Sequence, residues 1–301
     1  MKKKLSLLII GGTGFFGKSI LDSFKRGLLN KYNISKIIIL ARNTERFAID
    51  YPELIIEGVD FLSGDITSIS ELPIADYVIH AATSTNMSDY IGEEIEGNYV
   101  EKSVENYCRL AKKFHLGSRL LYCSSGAVYG KQPLDVETID EKYSLENDLS
   151  TFSIEKKNYC IVKRNSENLI INLGKEGLKT SIARCFAFYG KYLPKDQHYA
   201  YGNFIGQAEK GETIKVKTSG IVYRSYMHAD DLVNSLILVL TNSSTLCPIY
   251  NIGSDVQISI HELAKKIATQ YNVQLECNIV NNNVLDRYVP NIDKLKKLMP
   301  N

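Results

Sequence analysis

The stretch NYCIVKRNSENLI, residues 158–170, sets Tyr159 and Lys163 four positions apart. On a helix that spacing puts both side chains on one face. A free tyrosine titrates at about pH 10 and is a poor proton carrier at neutral pH. A lysine charge nearby favours the phenolate and brings the group toward a working range. The pair could therefore exchange a proton with a substrate oxygen, or it could be two polar residues on an ordinary helix. Spacing alone does not separate these readings, so the answer lies in what the rest of the chain supplies.

A second constellation is the loop in LLIIGGTGFFGKSI. Gly11, Gly14 and Gly17, with Thr13, Phe15 and Phe16 between and beside them, follow a strand-like run and open a helix-like one. Glycine permits the tight turn, and a Cβ would hold the backbone away from a pyrophosphate. The helix start adds free N–H groups and a positive dipole end. In this context the loop predicts a dinucleotide site. NAD-binding domains usually end their second strand with an acid that bonds the ribose 2′-hydroxyl. Here IIILARNTER puts Arg42 near that place, with Arg46 close by. A guanidinium suits a 2′-phosphate, so NADP(H) is favoured. NAD(H) is the alternative if Arg42 is only a solvated strand end.

These residues need a scaffold, and its outline is visible. LSLLIIG, KIIILA, VDFLSGD, DYVIHAA, RLLYCSS and KTSIARCF read as strands. Helix-like segments such as FFGKSILDSFKRGL and NYVEKSVENYCRLAKKF lie between several of them. Alternation with continuous apolar strands implies an α/β fold, a doubly wound parallel sheet covered on both faces. The division expected is a Rossmann-type domain over 1–190 and a small mixed substrate region over 191–301, interleaved with the first rather than independent. At 301 residues, with 44% hydrophobic and 23% charged residues, the composition is that of an ordinary globular chain. A formal charge of +2 without a basic block argues against a nucleic-acid partner. No apolar run is long enough to span a bilayer, and MKKKLSLLIIGG reads as a first buried strand rather than a signal peptide. The six cysteines show no ligand spacing and read as reduced thiols of a cytoplasmic protein.

GGTGFFG, HAAT at residues 80–83, SSGAVYG and YCIVK together resemble the extended short-chain dehydrogenase/reductase family. The branch they are most similar to is the nucleotide-sugar epimerase, dehydratase and ketoreductase branch, and the likeness runs over nearly the whole chain. The resemblance implies a catalytic set of Ser125, Tyr159 and Lys163, with Ser125 and Tyr159 also touching the substrate oxygen. It implies that Asp65, with Ile66 beside it, contacts the adenine, and that Ala81 and Ala82 let the cofactor cross the fourth strand's end. Lys163 also belongs to the cofactor set. Arg224 in YRSYMHADDL and Arg287 in LDRYVP match arginines that hold the sugar nucleotide's diphosphate, and Asn203 in GNFIGQ joins the substrate set. A homodimer through a four-helix interface, and a place in cell-surface polysaccharide biosynthesis, are further implications.

Departures from the family pattern narrow the chemistry. Family 4,6-dehydratases follow their Ser/Thr with Asp-Glu, the acid and base of water elimination; here those places are Gly126 and Ala127. Ala187 stands where the family often has a substrate-binding Asn, and the chain stops at KLKKLMPN, short of the family's usual final helices. The expected activity is NADPH-dependent reduction of a 4-keto-deoxysugar nucleotide. C4 epimerisation with tightly held NAD is the alternative, and a dinucleotide-binding sensor or scaffold the non-enzymatic one. His80 is expected to be packed, His198 is a candidate ligand contact, and the acids of HADDL are expected to cap a helix. Cys160 is expected to be a packed thiol, and no metal spacing stands out.

Overall fold

The computed structural model describes residues 3–84, 87–91, 99–145, 149–197, 199–277 and 283–299. The first six strands are β1 (Leu5–Ile10), β2 (Ile34–Ala41), β3 (Val59–Ser63), β4 (Tyr77–His80), β5 (Arg119–Ser125) and β6 (Lys179–Cys185). The later, shorter ones are β7 (Phe188–Tyr189), β8 (Ile214–Val216), β9 (Ile221–Ser225), β10 (Met227–His228), β11 (Ile249–Ile252), β12 (Gln257–Ser259), β13 (Leu275–Cys277) and β14 (Val284–Tyr288). The main helices are α1 (Phe15–Lys25), α2 (Thr44–Asp50), α3 (Tyr99–Phe114), α4 (Ile154–Lys175), α5 (Ala200–Glu209), α6 (Ala229–Thr241) and α7 (Ile260–Tyr271).

Seven strands form one sheet in the order β11-β6-β5-β4-β1-β2-β3, every pair parallel. Side chains alternate across it. Leu7, Ile9, Ile37, Ile39 and Leu121 pack toward α1 and α6, while Leu8, Ile10, Ile38, Leu40 and Leu120 pack toward α3 and α4. Both faces are covered, which is why β1, the second half of β2 and β4 read as nearly unbroken apolar runs. The strand order reverses between β1 and β4, the place where doubly wound sheets open a crevice at their carboxyl ends.

Residues beyond 190 supply part of this sheet's body. Strand β11 pairs with β6, and the apolar face of α6 packs on β5 and β6. What stands apart is a small three-stranded sheet, β12-β9-β14, with α5 and α7 packed beside it. At the start of α6 it is His228, not an acid, that caps the helix: its Nδ1 accepts from the Asp230 amide at 3.2 Å. Asp230 instead pairs with Arg26 at the end of α1.

Candidate active site

The loop after β1 is shaped by close backbone approach. Gly11 sits at φ +81°, and a Cβ on it would lie 2.5 Å from Ala82 Cα. A Cβ on Gly17 would lie 1.9 Å from the Gly12 carbonyl oxygen. Both glycines are required by the fold itself. Gly14 is different: a Cβ there meets only the Gly11 carbonyl oxygen, at 3.9 Å. The open space over Gly14 lies at the N-cap of α1, where no side chain caps the amides of Phe15, Phe16 and Gly17. A pyrophosphate fits that space, that set of donors and the helix's dipole end.

The other cofactor candidates surround the same crevice. Ala81 and Ala82 follow β4, with the Ala81 amide bonded to Ile10 at 2.9 Å. Asp65 follows β3, its Oδ1 accepting from the Thr67 amide and hydroxyl at 2.9 and 2.8 Å. Ile66 is buried and packs under it, and its carbonyl accepts from Asn106 at 2.7 Å. Arg42 is exposed just past β2, with its guanidinium 4.8 Å from the Tyr99 ring centroid. Thr13 is half-buried within the loop, and Phe16 meets Phe188 edge to face. Arg46 is engaged elsewhere, in an ion pair with Asp50 at 2.8 Å.

Ser125 ends β5, and its Oγ accepts from the Ala127 amide at 3.2 Å, capping a short 3-10 turn over Gly126–Tyr129. Helix α4 carries Tyr159, Lys163 and Glu167 at successive four-residue steps. Tyr159 packs edge to face on Tyr90 at 5.1 Å, with the Ser125 hydroxyl among the groups that bear on its titration. Burial pushes its phenol well above the usual range, and the nearby Ser125 hydroxyl offsets part of that. The resting group is a neutral phenol, a proton donor. Lys163 is fully buried, 5.9 Å from the Tyr159 ring centroid. Its ammonium donates to the Cys123 carbonyl at 3.2 Å and the Tyr122 hydroxyl at 3.3 Å, and burial lowers its pKa to about 8. The expected spacing on one face is present, but the lysine is held beneath the tyrosine rather than bonded to its hydroxyl.

Behind these residues runs a buried polar frame. Glu167 and Arg184 form an ion pair at 2.7 Å with side chains 3% and 4% exposed. The Ser124 hydroxyl donates to Glu167 at 2.6 Å, and Arg184 stacks on Tyr129. His80 is buried between the rings of Tyr107 and Tyr122, with burial lowering its pKa to about 4. Cys160 is likewise packed, its thiol 3.8 Å from the Val128 carbonyl.

The two arginines expected to clamp a diphosphate together are not brought together. Strand register pairs Arg224 with Tyr288 and Tyr223 with Arg287, so the arginines project from opposite faces of the small sheet. Arg224 shares its face with Tyr288 and Asp286, which it pairs with at 2.6 Å. Arg287 is buried on the other face, stacked on Tyr223 and bonded to Gln257. Asn203 is half-buried on α5. His198 lies outside the described residues, as does part of the segment before α3 expected at a dimer interface.

Sequence reasoning missed two residues that complete the corner, Phe186 and Tyr288. A Cβ on Gly126 would fall 2.7 Å from Phe186 Cε2 and 2.7 Å from the Tyr288 hydroxyl. Their rings pack 4.6 Å apart, and the Tyr288 hydroxyl donates to the Cys185 carbonyl at 3.4 Å. The glycine at 126, unusual in a position that could hold an acid, was the available signal. Among the described residues no group of three metal-ligating side chains occurs, and no helix is long and apolar enough to cross a membrane.

The chain is similar to known proteins in sequence and fold. Residues 7–253 match the NAD dependent epimerase/dehydratase family. UDP-glucuronic acid decarboxylase 3 of Arabidopsis thaliana is 27% identical over 303 residues, covering 98% of this chain and 83% of that one. A UDP-glucose 4-epimerase from Thermotoga maritima, solved with UDP-glucose, superposes with a TM-score of 0.76 at 18% identity, covering 97% of this chain and 92% of that one. A dTDP-glucose 4,6-dehydratase from Streptomyces venezuelae, solved with NAD, gives 0.78 at 21% identity, covering 97% and 90%. The chain belongs to the NAD dependent epimerase/dehydratase family.

Proposed function

We propose that this family member carries out carbonyl–carbinol redox on a nucleotide-linked sugar, without elimination, as an NADPH-dependent reductase of a 4-keto-deoxysugar nucleotide. The observation that carries the reading is the filling of the space at Gly126 by Phe186 and Tyr288 beside Ser125 and Tyr159. An acidic side chain at 126 has no room, and Ala127 cannot exchange a proton, so elimination lacks its acid and base. A carbonyl reduction needs neither.

Tyr159 rests as a neutral phenol in a corner that Tyr90 helps to close, so it is ready to donate a proton to a substrate oxygen. Ser125 bonds that oxygen and orients it. Lys163, anchored on the Cys123 carbonyl, places positive charge beneath the phenol, where it favours the phenolate left after donation. The open loop at Gly14, with Ala81, Ala82 and Asp65, would hold the dinucleotide, which would supply the hydride when bound. Arg42, beside Tyr99 at the end of β2, supports a 2′-phosphate and therefore NADPH. Arg224, on the same sheet face as Tyr288, is the arginine that the geometry favours for a substrate phosphate.

The test is incubation of the protein with a panel of nucleotide 4-keto-sugars and either reduced cofactor. Stoichiometric oxidation of NADPH in preference to NADH is expected. Protein that retains NAD⁺ through purification and interconverts C4 epimers without net cofactor use would replace this reading with the epimerase one.

A further inference from the structure

We propose that Tyr122 is a positioning residue that keeps the Lys163 ammonium charged beneath Tyr159. The proposal rests on the redox reading above and adds a member to its machinery. Lys163 is 1% exposed, and a charge taken out of water must be held by acceptors. The nearby carboxylate, Glu167, is already bound to Arg184 and to Ser124. The acceptors that hold the ammonium are neutral and come from β5: the Cys123 carbonyl at 3.2 Å and the Tyr122 hydroxyl at 3.3 Å. The carbonyl is backbone, fixed by the sheet whatever the residue type. The hydroxyl is the acceptor that a side chain supplies.

The other groups that bear on Lys163 are Tyr159 on its own helix, the Cys123 and Cys185 thiols on β5 and β6, and His80 on β4. Burial raises the Tyr159 and Tyr122 phenols and the Cys185 thiol and lowers His80 to about 4, so these four are neutral near pH 7. None of them supplies a counter-charge. Tyr122 is fully buried, so its hydroxyl offers no route to solvent and serves to hold a charge rather than to relay a proton. Its ring lies 5.1 Å from the Lys163 nitrogen and packs beside His80 at 5.8 Å, which fixes the hydroxyl in place. Burial already brings Lys163 down to about 8. A further fall would leave much of the enzyme with an uncharged amine at neutral pH, and the Tyr159 phenolate without its positive neighbour.

Tyr122→Phe keeps the buried ring and removes only the acceptor. Protein whose lysine side chains carry nitrogen-15, titrated by NMR, reads the Lys163 ammonium directly once Lys163→Met has identified its signal. The midpoint in Tyr122→Phe should fall by about one pH unit, about tenfold in the deprotonation equilibrium, the worth of one hydrogen bond to a charged group. The alkaline limb of kcat against pH, measured with the substrate that the wild type turns over, should move down by the same amount. Below both midpoints most of the lost kcat should return, which a packing defect would not allow. An unchanged midpoint, an unmoved limb, or a kcat lowered equally at every pH overturns the inference while leaving the redox reading intact. A wild type that turns over no keto-sugar overturns the redox reading instead, and the NMR midpoint then decides this inference alone.

Discussion

The dinucleotide loop and the catalytic corner are built in opposite ways. The loop's parts are consecutive, Gly11 to Gly17, and its shape follows from backbone packed on backbone. The corner draws Ser125, Tyr159, Phe186 and Tyr288 from four separate segments and depends on side chains converging. Contacts internal to a turn can be encoded by glycine spacing. Convergence from distant segments needs a rigid frame behind it, and here that frame is the Glu167–Arg184 pair with Ser124. The two regions should therefore fail differently when perturbed.

Glu167→Ala should have the largest effect. It leaves the Arg184 guanidinium buried without its carboxylate, a change that costs about 3–5 kcal/mol. Urea unfolding should show that loss. A change under about 1 kcal/mol would mean that the frame does not hold the corner.

His80, at the end of β4, lies between the two regions and should set part of the acid sensitivity. Burial lowers its folded pKa to about 4, while an unfolded histidine takes its proton at about 6.5. Between those values the unfolded chain binds more protons. Stability is therefore lost as pH falls from about 6.5 to about 4, by up to on the order of 3 kcal/mol. His80→Gln should flatten the acid limb of unfolding free energy against pH, whatever its effect at neutral pH. An unchanged slope would assign the acid sensitivity to other groups.

Tyr159→Phe should lower turnover at least about a hundredfold, as expected for a lost general acid, with dinucleotide affinity unaltered. Loss of both together would show that corner and loop are one unit. Gly14→Ala is the reciprocal change and the smallest. Its φ of −81° accepts alanine, and the nearest atom to the new Cβ is 3.9 Å away. The melting temperature should hold or rise slightly, while the dinucleotide Kd, read by calorimetry, weakens about tenfold (about 1.4 kcal/mol). Unchanged affinity would mean that the open space over Gly14 is not where the pyrophosphate lies.

The same contrast governs how much could be read from the chain. Strands β1, β2 and β4 announce themselves as apolar runs because the sheet is covered on both faces. The loop's glycines, and the one-face placement of Tyr159 and Lys163 on α4, follow from local geometry. Strand β11 was not among the strands read from the chain, and its place beside β6 is a long-range pairing with no local signature. The faces of Arg287 and Tyr288 depend on an irregularity in β14 between Val284 and Asp286. A one-residue slip moves every later side chain to the other side of a sheet, so spacing could not tell which of the two meets the site. The spacing places the Lys163 charge on the Tyr159 face of α4; its hold on Cys123 and Tyr122 depends on where β5 passes under α4.

The central claim is redox at one sugar carbon without elimination, and isotope transfer tests it most directly. NADPH dideuterated at the transferring nicotinamide carbon would be supplied with a nucleotide 4-keto-6-deoxysugar, and the product examined by mass spectrometry and proton NMR. The account predicts one deuterium per product, bound to the sugar's C4, with one NADPH oxidised for each. Product that forms with no deuterium at C4, or water lost from a simple nucleotide hexose to give a keto-deoxysugar, would contradict it.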